Sequence, residues 1–272
     1  MIHKDFITEW RAHAPWQEDF QVEQDLVASR ALVELFARDE ISGSLAFRGG
    51  TAIHKLHLSP AVRYSEDIDL VQEVERPIGG TLDAIHEALD PWLGKARTEI
   101  KERGTTLVYR FASEDPTPVR LRLKVEINTR EHRVLGVVRR AFSVPSRWFR
   151  GSADVVTYDL PDLIGTKLRA LFQRKKGRDL FDVACAMKCE GFLVARAIAA
   201  FTTCMRSEGR VVTRAAFEEN LAEKVADPSF ADDVRVLLRL GSDWDPSRAG
   251  EEVATRLLAL LPGPPWDRRQ PS

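Results

Sequence analysis

The sequence predicts an α+β chain in two parts: a mixed α/β unit over residues 1–154 and a helical domain over 155–262, ending in a flexible tail at 263–272. Three observations carry this expectation. Apolar and polar residues alternate between Thr105 and about Val144, the period of sheet strands. Before that stretch, helical spacings and short strand-like runs take turns. After VVTYDL only helical patterns remain, separated by short Gly, Pro or Asp punctuation. At 272 residues the chain is long enough for two domains, at roughly 150 residues each.

The elements follow in order. Residues 20–41 place Leu26, Leu32, Val33, Leu35 and Phe36 at amphipathic helical spacing. SGSLAFRGG reads as a short strand ending in paired glycines, and TAIHKLHL reopens as a helix. IDLVQ is the next strand, and LDAIHEALDPWL is a helix with a break before Pro91. TLVYRFA, PVRLRLKVEINT and RVLGVVRRAFSV are strands. Six helical segments follow, from PDLIGTKLRALFQRK to AGEEVATRLLALL.

Composition excludes several classes. Hydrophobic residues make up 44% and charged residues 30%, which suits a globular chain rather than a disordered one. The first residues carry Asp5 and Glu9 and no apolar stretch of signal-peptide length. No 18-residue apolar run occurs, so the expectation is a cytoplasmic protein without a membrane role. Cys185, Cys189 and Cys204 are an odd set that no His completes as a zinc site, so they are expected as core thiols. The net charge of −1 gives no global field for nucleic acid. Basic clusters stand at Arg139 and Arg140, at Arg147 and Arg150, and at Arg174, Lys175, Lys176 and Arg178. Each is either a solvated face or part of a contact to a polyanion.

The chemistry concentrates in RYSEDIDLV, where Ser65, Asp67 and Asp69 alternate with Ile68 and Leu70. On a strand, side chains two apart share a face, so the two carboxylates stand side by side while Ile68 and Leu70 face the core. Such like charges repel, and a divalent cation between them turns repulsion into coordination; Mg²⁺ or Mn²⁺ suits carboxylates together with substrate phosphates. Upstream, Gly49, Gly50 and Thr51 stand between strand and helix. There, small residues let backbone N–H groups approach a phosphate, and a triphosphate is the expected ligand. Neither a Walker loop nor a dinucleotide fingerprint is present. In RLRLKVEIN, Leu121, Leu123, Val125 and Ile127 share one face and Arg122, Lys124, Glu126 and Asn128 the other. Glu126 is then either a third metal ligand or a cross-strand partner. Arg63, Lys55 and Ser65 are further candidates for holding phosphates, set against a solvated helix face for Lys55 and a strand cap for Ser65.

Lys167 is anomalous, because it falls in the apolar stripe of Leu160, Leu163, Ile164, Leu168, Leu171 and Phe172. It either snorkels to solvent or reaches nucleotide phosphates across an interdomain cleft, and Lys167→Met is expected to leave stability unchanged or slightly raised. Asp179 and Asp182, one turn apart at a helix start, read as a capping box or as functional acids.

FRGGTAIHKL, RYSEDIDLV and GTKLRALFQRKKGRDLFDV, in this order, resemble the nucleotidyltransferase toxins of the AbiEii/AbiGii type, which include the MenT toxins, over about residues 20–200. The resemblance implies a polymerase-β-like nucleotidyltransferase domain with a mixed sheet, followed by an α-helical C-terminal domain. It implies the toxin of a toxin–antitoxin pair, with a cognate antitoxin, that uses nucleoside triphosphates and extends the 3′ end of RNA, tRNA where a target is established. On this pattern Gly50 and Thr51 hold phosphates, Asp67 and Asp69 the metal, and Lys167 with Asp182 form the later motifs. Two other readings stand beside it: the same transfer to a small molecule or protein hydroxyl, and a degenerate binding domain. An RNA acceptor would draw on Arg174, Lys175, Lys176 and Arg178.

Overall fold

The computed structural model describes residues 2–102, 104–114, 117–131, 135–239 and 241–267. The last five positions of the expected tail lie outside the described residues. The chain divides into two compact units, Met1–Tyr158 and Asp159–Ser272.

The first unit opens with helices α1 (Lys4–Trp10), α2 (Asp19–Phe36) and α3 (Asp39–Ser42). The Gln21 side chain accepts the Glu18 N–H at 3.2 Å and closes the start of α2. Helix α2 ends at Phe36, short of the expected 41, because Arg38 turns extended before α3 begins. Leu26, Leu32 and Leu35 are fully buried, as their spacing requires. Asp25 is buried on the same helix, and its carboxylate accepts from Trp10 Nε1 at 2.9 Å and Trp16 Nε1 at 3.3 Å.

Strand β1 (Leu45–Arg48) runs into helix α4 (Gly49–Leu56), and then come β2 (Ile68–Gln72) and helix α5 (Gly79–Leu93). Five strands follow: β3 (Arg97–Lys101), β4 (Gly104–Ala112), β5 (Arg120–Asn128), β6 (Val137–Pro145) and β7 (Arg150–Tyr158). They form one seven-stranded sheet in the order β3-β4-β5-β2-β1-β7-β6. Strand β2 pairs parallel with β5 and β1 parallel with β7, while the other pairs are antiparallel, so the sheet is mixed as expected. Ile68, Leu70, Leu121, Leu123, Val125 and Ile127 are all buried, and the alternation therefore sets which face of β2 and β5 carries chemistry.

Three elements depart from the sequence expectation. Helix α5 runs through Pro91 instead of breaking before it. The ring removes one bond, to the Glu87 carbonyl, close to the helix end where water can replace it. Strand β3 is a polar edge whose Ile100 is exposed, and the first half of β7 is exposed too, so neither shows the half-buried alternation that reveals a strand.

The second unit is helical. Among the described residues it holds α6 (Leu160–Gln173), α7 (Gly177–Ala186), α8 (Val194–Ser207), α9 (Arg214–Val225), α10 (Pro228–Arg235) and α11 (Pro246–Arg256). Prolines open α6, α10 and α11, and Asp227 and Asp245 cap the latter two by accepting backbone N–H groups. Lys224 of α9 donates to the carbonyls of Leu171 and Phe172, closing the end of α6. Cys185, Cys189 and Cys204 are free thiols, as expected, but only Cys204 is buried in the core, while Cys185 and Cys189 are partly exposed. Among the described residues, no helix is long and apolar enough to cross a membrane.

Candidate active site

The glycine turn is built for close approach. Gly49 begins α4 with φ +81°, a left-handed conformation that only glycine adopts without strain, and a Cβ there would overlap the Asp69 carboxylate. A Cβ on Gly50 would overlap the Arg63 guanidinium instead. The two glycines thus admit, one after the other, a carboxylate and a guanidinium to the backbone at the helix start. Arg48, the N-cap residue, makes no side-chain cap bond to α4, whose first N–H groups point at this place. Gly49→Ala is therefore expected to displace Asp69 and lower any activity that depends on its carboxylate at least about a hundredfold, at a stability cost of about 1–2 kcal/mol from the forced φ. Assay and thermal melt together check it; full activity in a folded variant would dismiss the close approach as incidental.

The carboxylates meet on the open face of the sheet. Asp69 of β2 stands in register between Arg48 of β1 and Glu126 of β5. Asp67 does not share the strand with Asp69 as the alternation suggested: it lies in the segment just before β2, which starts at Ile68. Its Oδ1 is buried without a hydrogen-bond partner. Burial pushes the Asp67 carboxyl up to about 6, with Glu66, Asp69 and Glu126 adding to the rise and Lys124 opposing it. The Lys124 ammonium stands 3.9 Å from Asp67 and 3.8 Å from Glu126. No group of three His, Cys, Asp or Glu among the described residues is gathered into a metal cage. Paired carboxylates with an orphaned buried oxygen nonetheless fit a hard divalent cation, which needs one or two protein carboxylates beside substrate phosphates.

The hydroxyls hold this arrangement in place. Thr51, buried on α4, donates to the Asp67 carbonyl at 2.6 Å, and its oxygen lies 2.8 Å from Ser65 Oγ. With the Thr51 proton used on Asp67, Ser65 is the donor of that second bond. Both hydroxyls fasten the acidic segment to the helix start. Lys55 is not on a solvated face: its ammonium donates to Ser29 Oγ at 2.8 Å and pairs with Asp25 at 3.1 Å, with both charged side chains 9% exposed. Arg63 is buried, and its guanidinium donates to the Tyr64 carbonyl at 2.9 Å while lying against Gly50. Two cavities flank the turn. One of about 190 Å³ is lined by Arg48, Asp69, Lys101 and Glu126 among others, and one of about 360 Å³ by Thr51, Lys55, Arg63 and Ser65 among others. Arg48, Lys101 and Lys124 were not marked by the sequence as site residues, although Lys124 shares the Glu126 face by simple alternation.

The second unit holds a separate polar cluster. Lys167 of α6 does not snorkel: its Nζ lies 3.0 Å from Asp179 Oδ1 and 3.1 Å from Asp182 Oδ2, with both aspartates fully buried on α7. Arg174 adds a two-bond pair to Asp179 at 2.7 and 2.9 Å. Burial pushes the Asp179 carboxyl up, but the Lys167 and Arg174 charges outweigh it and hold it below its ordinary value. The capping-box reading is corrected, since Lys176 is the N-cap of α7 and no side chain caps it. The rest of the basic run is also engaged. Lys175 pairs with Asp227, Lys176 with Asp233 at 3.3 Å, and Arg178 with Asp233 at 3.9 Å.

A glycine turn at a helix start beside paired carboxylates is the arrangement of a phosphate-handling enzyme. The family model for the nucleotidyl transferase AbiEii toxin of type IV toxin–antitoxin systems matches residues 30–254, and the chain belongs to this family. MenT4, a nucleotidyltransferase toxin from Mycobacterium tuberculosis H37Rv, superposes with a TM-score of 0.66 at 17% identity, covering 96% of this chain and 91% of that one. The fold is therefore that of the MenT nucleotidyltransferases. A nucleotidyltransferase-like antigenic protein from Paracoccidioides brasiliensis aligns at a TM-score of 0.36 with 15% identity, over 66% of this chain and 88% of its own. No match emerges among curated proteins.

Proposed function

We propose that this member of the nucleotidyltransferase toxin family transfers nucleotides from a nucleoside triphosphate to the 3′ end of an RNA, tRNA first, and so blocks translation. It acts in the cytoplasm and is held in check by a cognate antitoxin. The observation that carries the reading is the Asp69 carboxylate seated against Gly49, at a helix start whose N–H groups favour phosphate. An anion site and a carboxylate pair this close are useful together only with a cation between them. Asp67 and Asp69 would hold Mg²⁺ or Mn²⁺, with Glu126 as a third candidate beside Asp69; the ion supplies positive charge to the phosphate and acceptor oxygens when bound.

The chain's own residues do the rest. The N–H groups of Gly49, Gly50 and Thr51 receive phosphate oxygens, and Arg63 adds its charge beside Gly50. Thr51 and Ser65 hold the acidic segment against the helix, so that the carboxylates keep their place without spending those hydroxyls on substrate. Lys124 balances Asp67 and Glu126. Lys55 supports α4 through Asp25 rather than through phosphate. Lys167 and Asp182 are assigned to transfer as well as to the stability of their own unit.

Total RNA incubated with each labelled triphosphate, with Mg²⁺ or Mn²⁺ and with chelator, tests the reading. The expected result is cation-dependent label at the 3′ end of tRNA. Label on no RNA with any of the four triphosphates would move the acceptor to a small molecule or a protein hydroxyl.

A further inference from the structure

The open face of β5 carries charge in a definite sequence. Arg120, Arg122, Lys124 and Glu126 occupy every second position and share that face, which ends beside Asp69. Arg110 of β4 stands directly opposite Arg122 in the antiparallel register. Like charges directly opposed across a strand pair are destabilising, so a neutralising carboxylate is the usual companion. Here none is supplied: Arg110, Arg120 and Arg122 are exposed, and among the described residues none of the three forms an ion pair. The basic run of the second unit differs, because each of its cations already has an aspartate.

We propose that the β4–β5 face is the track along which the single-stranded 3′ end of the acceptor RNA lies, with phosphates on Arg110, Arg120 and Arg122 and the terminal hydroxyl at Glu126 and Asp69. The inference rests on the transfer reading above and adds the path of the acceptor to it. Same-face residues repeat about every 6–7 Å along a strand, a spacing of the order of successive phosphates in an extended nucleic-acid chain. The gradient gives direction. A polyanion is attracted to the arginine end and repelled by the carboxylates, so internal phosphates settle on the arginines and only the end of the strand, where no phosphate follows, reaches the acids. Lys124, between the two zones, turns its ammonium to the acidic one, 3.9 Å from Asp67 and 3.8 Å from Glu126. An acidic peptide would match the arginines but has no hydroxyl terminus to present at Asp69.

The test is binding of a fluorescein-labelled twelve-nucleotide oligouridylate, without triphosphate, by the full chain and by the double variant Arg110→Gln/Arg122→Gln. The expected result is at least a tenfold loss of affinity at low salt. The slope of log affinity against log salt should shrink by about 1.4, at about 0.7 per lost single-strand phosphate contact. The melting temperature should stay or rise, since an opposed charge pair is gone, and binding of a non-hydrolysable triphosphate should not change. The variant Lys175→Gln/Lys176→Gln should bind the oligonucleotide as the parent does. Equal affinity and slope in the arginine variant overturn the proposal, as does an unmodified chain that ignores the oligonucleotide but captures a polyglutamate peptide through these arginines. Loss of oligonucleotide binding with no RNA labelled by the parent would sink the transfer reading and leave the track; labelled RNA with unchanged variant binding would do the reverse.

Discussion

Asp67→Asn is expected to lower nucleotide transfer by at least about two to three orders of magnitude, while the melting temperature in chelator-containing buffer at pH 8 stays the same or rises. The two halves have one cause. Asp67 is held where ionisation is disfavoured: burial and three neighbouring carboxylates raise its pKa, and its Oδ1 is buried without a partner. At pH 8 the folded chain must still carry that charge, with Lys124 at 3.9 Å as partial compensation. The side chain is about a third exposed, so solvent screens part of the penalty, and a gain of about 1 kcal/mol is the scale to look for. Asparagine keeps the shape and removes the charge. What it cannot do is serve as an anionic ligand. Addition of Mn²⁺ should therefore raise the melting temperature of the parent and leave the variant's nearly unmoved. A variant that melts well below its parent in chelator would make Asp67 a structural residue, and one that transfers at the parent rate would exclude it from the site.

Much of this site was legible because period-two alternation is a strong constraint. Once Ile68, Leu70 and the apolar set Leu121 to Ile127 claim the core, Asp69 and Glu126 have only the other face to occupy. The register that sets Asp69 directly beside Glu126 was not legible, since a β2–β5 pairing depends on the whole sheet order. The glycine turn showed its location but not its reason, which lies in Asp69 and Arg63 arriving from elsewhere in the chain. Long-range ion pairs were the main loss. Nothing near Lys55 in sequence announces Asp25, thirty residues upstream on another helix. Arg174, Lys175, Lys176 and Arg178 looked like a ligand surface because their aspartates lie on α7, on α10 and just ahead of it. The alternation on β5 did display Arg122, Lys124 and Glu126 together. Only the pairing with β4 brings Arg110 opposite and turns an ordinary basic strand into a surface with unmet charge.

Lys167→Met is expected to destabilise the chain by about 3 kcal/mol, the reverse of what a snorkelling lysine would give. Its ammonium lies between two fully buried aspartates, and removing it leaves their charges in a low-dielectric interior with one cation fewer. Arg174 still serves Asp179, so the larger share of the loss falls on Asp182, which gives up a partner at 3.1 Å. The acid limb of the stability curve supplies an independent check. Asp179 has its folded pKa held below the ordinary 3.8, so its contribution is present above that value and is lost as pH falls through the lower folded one. In the methionine variant that limb should flatten, because less of the stabilisation exists to lose. Pairing Lys167→Met with Asp182→Asn should recover part of the stability, since a buried charge goes together with the cation it paired with. Additive losses in the double variant would show that the two side chains do not act as a pair. Transfer measured where the single variant is fully folded then decides its second assignment: parental kinetics would confine Lys167 to this cluster, while a fall in transfer with the fold intact would give it a part in the chemistry.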